Sequence, residues 1–464
     1  MNNEIVNSFF APKTFLLIRK PRTSVDWALL VGAASYSIAG LIFLALFLPT
    51  SYKEVKLGLL LCALASVMFL GFKKEWVWSP STLVACWLLA AFGLANSVHG
   101  YWNGAPGAVR VLTVAALWPV VYGVLSAALS RAGSVKVMTG ILGVSLLAVL
   151  AYSYLYLGHV AKIIPAWLYV ELDQGQAWGG TQNLILEYNL YSISSLLFLF
   201  PFWLHYCLRK AQIGKANFFH WAALVAVIAL CVLTGRRAVQ IVAAISPLLI
   251  LAVESAVGAG WRAGVNVIFN RRSLLFLLTS VLAVGVVLAY AGYKPPTLLQ
   301  TLLQGFDFYP PTAETPTAET LTTTGLQDVS AQIRYHQFVS LLDGWRESGV
   351  WFGAGNGSHT SLIRDPDMPW AYELTYVYLL YSTGIVGVVF YFGWFAWGLA
   401  RIRKALIDRP DMSLYITPII AGVLGLCIGA ATNPYFGKFD YLWVIMLPHL
   451  LAGGVHFQPR GAVG

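Results

Sequence analysis

The chain has 464 residues, 58% of them hydrophobic and 11% charged, with a formal net charge of +10. Soluble domains carry about 25% charged residues, so this composition excludes an ordinary water-soluble globule. The positive charge falls in short loops, which gives it a topological meaning and removes nucleic acid as the implied partner.

Apolar runs recur at 27–48, 55–72, 83–97, 109–129, 137–157, 188–206, 218–234, 238–256, 274–292, 374–400, 413–432 and 441–457. A helix needs about 20 apolar residues to cross roughly 30 Å of hydrocarbon, and backbone in lipid must satisfy its own polar groups. The expected fold is an all-α polytopic membrane protein of about 12 transmembrane helices, with one large periplasmic loop that contains short helices. The expected divisions are a cytoplasmic tail 1–26, helices one to nine within 27–293, a large loop 294–373, the last three helices within 374–457, and a tail 458–464. Basic residues from Lys13 to Arg22 precede the first run without a small-residue cleavage site, so a retained helix is expected and not a signal peptide.

With a cytoplasmic N-terminus, one set of short loops holds 19 of the 30 basic residues, and the other side holds 14 of the 20 acids. That asymmetry puts both termini in the cytoplasm and two long loops, 158–187 and 294–373, outside a bacterial inner membrane. The large loop opens on a flexible tether, the PTAET repeat from Pro311 to Thr320. It continues through the helical-looking Gln332–Arg346 to a glycine-rich turn at Gly353–His359. Aromatics near the expected interfaces, Tyr152, Tyr154 and Tyr156, Trp167 and Tyr169, then Tyr372, Tyr376 and Tyr378, read as an interfacial belt in preference to a sugar-stacking surface. The five cysteines lie in or beside apolar runs, and no CxxC pair occurs, so neither a disulfide framework nor a zinc site is expected.

Arg236 and Arg237 occupy a hairpin tip between two apolar runs, on the side that is poor in arginine. Two readings compete: snorkelling to headgroups, or a diphosphate clamp of two planar forks. Arg334 lies in a stretch, Ile333 to Trp345, with the spacing of an amphipathic outer helix, and Arg110 opens the fourth apolar run from outside. Gly353, Gly355 and Gly357 lack the strand–helix context of a dinucleotide fingerprint; they form a tight turn whose amides are available to an anion or a sugar. The outer histidines are His99, His159, His336 and His359, any of which could act as a base or sit at headgroup level. Glu373 stands at the mouth of an apolar run, either as a helix-start acid or as a reactive carboxylate. No acid lies near the middle of an apolar run, which weakens a proton-coupled transporter reading.

The order of three stretches resembles the O-antigen ligase and O-antigen polymerase superfamily of envelope glycosyltransferases. They are Thr234-Gly-Arg-Arg237-Ala, Ile333-Arg334-Tyr followed by Trp351-Phe-Gly-Ala-Gly-Asn-Gly357, and Tyr372-Glu-Leu-Thr-Tyr leading to Gly384 and Gly387. The resemblance covers about residues 220–400 and implies transfer of a glycan from undecaprenyl diphosphate to a sugar hydroxyl at the periplasmic face. It implies that Arg237 and Arg334, with Arg236 and Arg110 nearby, hold the lipid diphosphate without metal or cofactor. Where many members carry a His-Asn pair, this chain has Glu373-Leu374, so the base would be Glu373, His359 or His336. That departure favours a polymerase acting on O-antigen or exopolysaccharide repeats over a ligase that loads lipid A core. The implied partners are the lipid-linked donor, a glycan or lipid A core acceptor, membrane lipids and a chain-length regulator protein. The rival class is a transporter or flippase of lipid-linked glycan.

Overall fold

The computed structural model describes residues 24–72, 77–131, 133–172, 178–182, 185–234, 236–258, 260–290, 326–363 and 365–457. The basic segment Lys13–Arg22, the PTAET repeat and the 458–464 tail lie outside the described residues.

In the first half of the chain the helices are α1 (Ser24–Phe47), α2 (Lys53–Phe72), α3 (Pro80–Trp102), α4 (Ala108–Ser130) and α5 (Ser134–Val160). Next come α6 (Tyr191–Gln212), α7 (Phe218–Leu233), α8 (Arg237–Ala256), the short α9 (Trp261–Phe269) and α10 (Arg271–Tyr290). The large loop contributes α11 (Leu326–Ser348), and α12 (Thr375–Asp408), α13 (Ser413–Gly429) and α14 (Phe439–Phe457) follow. Nine helices among the described residues are long and apolar enough to cross a membrane, and three further apolar helices are shorter. The protein is a helical, membrane-embedded chain.

Two details depart from the expected all-α layout. The outer loop at 158–187 carries a two-stranded antiparallel hairpin, β1 (Trp178–Gln182) and β2 (Ile185–Asn189), in register from Trp178↔Asn189 to Gln182↔Ile185. The nine-residue α9 fills a stretch that reads as loop in sequence because it is too short to give an apolar run. Local chemistry sets several ends: the Asn217 side chain accepts from the His220 amide at the start of α7, and Pro80 begins α3, where a missing N–H costs nothing.

α6 forms the centre, packed against α13, α8 and α10, with Phe198, Phe202, Leu196 and Leu197 fully buried. One end of the bundle is tied by Arg401, whose guanidinium donates to Ser81 Oγ (2.6 Å) and Thr82 Oγ1 (3.0 Å). At the opposite end the Lys56 ammonium, 3% exposed, donates to Asp440 Oδ1 at 2.6 Å and to the Leu48 carbonyl at 2.7 Å. The Thr50 amide donates to the other Asp440 oxygen at 2.9 Å, so this buried ion pair joins α2 to α14 across 384 residues.

α12 is 34 residues long and broken at Gly384, whose φ of 63° and ψ of −169° leave the helical region. The broken turn frees four backbone groups, and the glycine-rich turn takes all four. The Ala354 and Gly355 amides donate to the Tyr381 and Ser382 carbonyls (2.9 and 2.8 Å). In return the Ile385 and Val386 amides donate to the Val350 and Trp351 carbonyls (3.0 and 3.1 Å). Hydrogen bonding along the helix is therefore conserved through a partner from the loop.

Candidate functional site

α11 packs on the start of α12 and brings its residues Arg334, Gln337 and Leu341 against Tyr372 and Glu373. Arg334 Nε donates to Glu373 Oε2 at 2.7 Å, with the guanidinium side chain 32% exposed and the carboxylate 10%. Both Arg334 Nη groups are without a hydrogen-bonded protein partner among the described residues. The Glu373 amide donates to Gln337 Oε1 at 3.3 Å, which fixes the carboxylate beneath the guanidinium. Arg334 is thus held from its Nε edge while its outer fork faces away from the pair, a geometry suited to two oxygens of an anion.

Arg236 and Arg237 are where the hairpin reading expects them. α7 ends at Leu233, Arg236 is the cap of α8, and Arg237 is its first residue. Gln240 Nε2 donates to the Thr234 carbonyl at 2.8 Å and closes the tip. The Arg236 Nη1 group donates to Ser194 Oγ, which also accepts from the Tyr435 hydroxyl at 3.5 Å. Tyr435 belongs to the 433–438 connection, and in the same connection the Asn433 carbonyl accepts from Thr375 Oγ1 at 3.0 Å. One short segment therefore joins the Arg236 tip to the α12 start beside Glu373, and the two basic elements share one end of the bundle.

Sequence reasoning missed Lys438 in that segment. Burial, and then the Arg236 charge, lower the Lys438 ammonium below the usual lysine range, while Asp440 pulls the other way. Asp440 is already engaged by Lys56 and Thr50, so Lys438 is a further basic side chain near the Arg236 tip. The signal was available, since Lys438 is one of the few basic residues on the acid-rich side.

The histidines separate. The Thr360 carbonyl lies 2.8 Å from His359 Nδ1 and can only accept, so Nδ1 carries hydrogen and the neutral ring keeps its lone pair on Nε2. Thr360 is in turn bound by the Tyr372 hydroxyl (2.8 Å to its amide) and by Ser340 Oγ (2.6 Å), which couples His359 to the Arg334–Glu373 corner. His336 is exposed and two positions beyond Arg334, about 200° around the helix, so it points away from that corner. His99 Nε2 sits 3.1 Å from the Gly353 carbonyl and braces the turn. Arg110 is exposed, with its guanidinium carbon 5.9 Å from the centroid of the Trp370 ring, an aromatic contact.

Two expectations are corrected. The amides of the glycine-rich turn are not available to a ligand. Beyond the two given to α12, the Asn356 amide donates to the Asn96 carbonyl (3.1 Å) and the Gly357 amide to the Tyr378 hydroxyl (3.2 Å). A Cβ at Gly355 (φ 91°) would lie 2.3 Å from Gly100 Cα, so the glycines serve close backbone packing. Several members of the expected aromatic belt also face the protein and not lipid, although Tyr154 and Trp167 are exposed. Tyr372 is buried, Tyr376 donates to the Cys427 carbonyl (2.6 Å), and Tyr378 donates to the Ser358 carbonyl (3.2 Å). Tyr152 is likewise buried and shares a hydroxyl contact with Tyr169.

Compared with known proteins, the chain matches no family model and no curated protein. The resemblance to envelope glycosyltransferases thus rests on the local motifs alone. Among the described residues no three His, Cys, Asp or Glu side chains are grouped closely enough to hold a metal ion.

Proposed function

We propose that the chain is a membrane glycosyltransferase that moves a glycan from a polyprenyl diphosphate to a sugar hydroxyl, as a polymerase of O-antigen or exopolysaccharide repeats. The observation that carries this reading is Arg334, held through Nε by Glu373 with both Nη groups unpaired among the described residues. The arginine tip at Arg236–Arg237 and Lys438 lie at the same end of the bundle, where a doubly charged leaving group would need cations. In the transfer, the acceptor oxygen attacks the anomeric carbon, the bond from that carbon to the diphosphate breaks, and the diphosphate leaves with the electron pair. Preoriented guanidiniums stabilise the charge that develops on it. The acceptor proton goes to His359 Nε2, the open lone pair of the corner, while Glu373 orients Arg334.

The orientation follows the loop charges: termini cytoplasmic, with α11 and the corner at the outer face of a bacterial inner membrane. A cysteine at Thr317 should then react from outside intact spheroplasts, and one at Asp411 only after permeabilisation. The deciding experiment gives purified protein a lipid-linked repeat in proteoliposomes and follows elongation and release of polyprenyl diphosphate. Movement of the lipid without new glycosidic bonds would replace this reading by a flippase. Attachment to lipid A core and not to another repeat would replace polymerase by ligase.

A further inference from the structure

The segment Val350–Gly357 belongs by sequence to the loop outside the membrane, yet its hydrogen bonds attach it partway down two apolar helices. Two independent rulers measure its depth. Arg401 and the bonded Ser81 and Thr82 mark one level, where the apolar run of α12 ends and that of α3 begins. Along α12, Val386, which binds the Trp351 carbonyl, is fifteen residues from Arg401, or about 22 Å, and Gly384 is about 26 Å away. Along α3, Asn96, which binds Asn356, is fourteen residues from Thr82, or about 21 Å, and Gly100, against Gly355, is about 27 Å away. Helix tilt would only shorten these heights. A hydrocarbon core of about 30 Å measured from the Arg401 level therefore takes in Val350–Asn356, with Gly357 at its outer edge against Gly107 and Ala108.

The chemistry of the turn fits that depth. No Asp, Glu, Lys or Arg stands between Gly349 and Ile363. The amides of residues 353–357 all donate within the protein, as irregular backbone at membrane depth requires. The side chains that remain outside are Val350, 38% exposed, and above all Trp351, 63% exposed, and Phe352, 65% exposed. They continue the exposed apolar flank of α12 at Val386 and Val389.

We infer that Val350–Gly357 is a re-entrant turn, and that Trp351 and Phe352 are a lipid contact seated among the acyl chains of the leaflet on that side. The turn fastens the large loop to the bilayer as well as to α12, so α11 and its Arg334 are carried at a fixed height above the lipid. This inference stands on geometry alone and does not require the proposed transfer reaction.

The test uses full-length protein in lipid nanodiscs. Nitroxide labels are attached singly at Trp351→Cys, Phe352→Cys, Arg346→Cys and Val389→Cys, in a parent carrying Cys62→Ser and Cys427→Ser. Power saturation with oxygen and with a water-soluble nickel chelate then gives each label's depth. Labels at 351 and 352 should favour oxygen and lie about 5 Å shallower than the label at 389, the rise of three helical residues. The label at 346 should favour the nickel chelate. Nickel-favoured behaviour at both 351 and 352 would overturn the inference by showing that the turn faces water. Low accessibility to both reagents would overturn it too, since protein and not lipid would then cover the two rings. Two adjacent labels guard against local damage by either substitution, and neither residue belongs to the Arg334–Glu373 corner.

Discussion

The Arg334–Glu373 corner and the glycine-rich turn are neighbours on α12, and both look in sequence like places for an anion. The turn offers a row of amides, yet each is satisfied within the protein, by α12, α3, a tyrosine hydroxyl or the preceding Gly349 carbonyl. The corner offers a single guanidinium, fixed on one edge and open on the other. Donor type alone is therefore a poor guide to binding. What matters is which donors remain after the fold has satisfied its own acceptors, and here the turn supplies rigidity while the corner supplies the charge.

The largest expected effect tests the turn. Gly355→Ala must adopt a left-handed conformation and push against Gly100, for a combined cost of about 2–5 kcal/mol. The measurement is thermal stability and monodispersity of the purified protein; a variant as stable as the parent would mean the turn is not the brace described. On the corner, His359→Ala should slow transfer about 10²–10⁴-fold. A transfer rate equal to the parent's would remove His359 as the base. Arg334→Lys keeps a charge for Glu373 but loses the fork, and should cost about 10²-fold in transfer with unchanged thermal stability. Equal rates in the two proteins would take Arg334 out of the site. The smallest effect belongs to Glu373→Gln, because the amide oxygen can still accept from Arg334 Nε. About tenfold is expected, as befits loss of one charge-assisted bond. If that variant falls further than His359→Ala, the carboxylate and not the imidazole takes the proton.

Much of the bundle was legible because a membrane span is a local property: twenty apolar residues in a row suffice to announce it. The break in α12 was not. Residues 374–400 read as one uninterrupted run, and the groups that permit the break at Gly384 come from Val350–Gly355, about thirty positions upstream. Arg236 and Arg237 stood out because they violate the charge bias of their side. The partnership of Arg334 with Glu373 did not, since closing the 39 positions between them depends on α11 docking through Gln337 and Leu341. Lys56 was equally silent: a lysine in the first turn of a span looks interfacial, and only the fold shows it buried against Asp440.

The Lys56–Asp440 pair also sets an order on assembly. The two residues leave the ribosome 384 positions apart, and synthesis at about 5–20 residues per second separates them by roughly 20–80 s. Throughout that interval Lys56 lacks its Asp440 partner, and an unpaired lysine near a helix end keeps its ammonium at the headgroup level. The N-terminal end of α2 must wait at the water boundary until α14 is inserted. One of the first helices to be made is thus among the last to be locked in place.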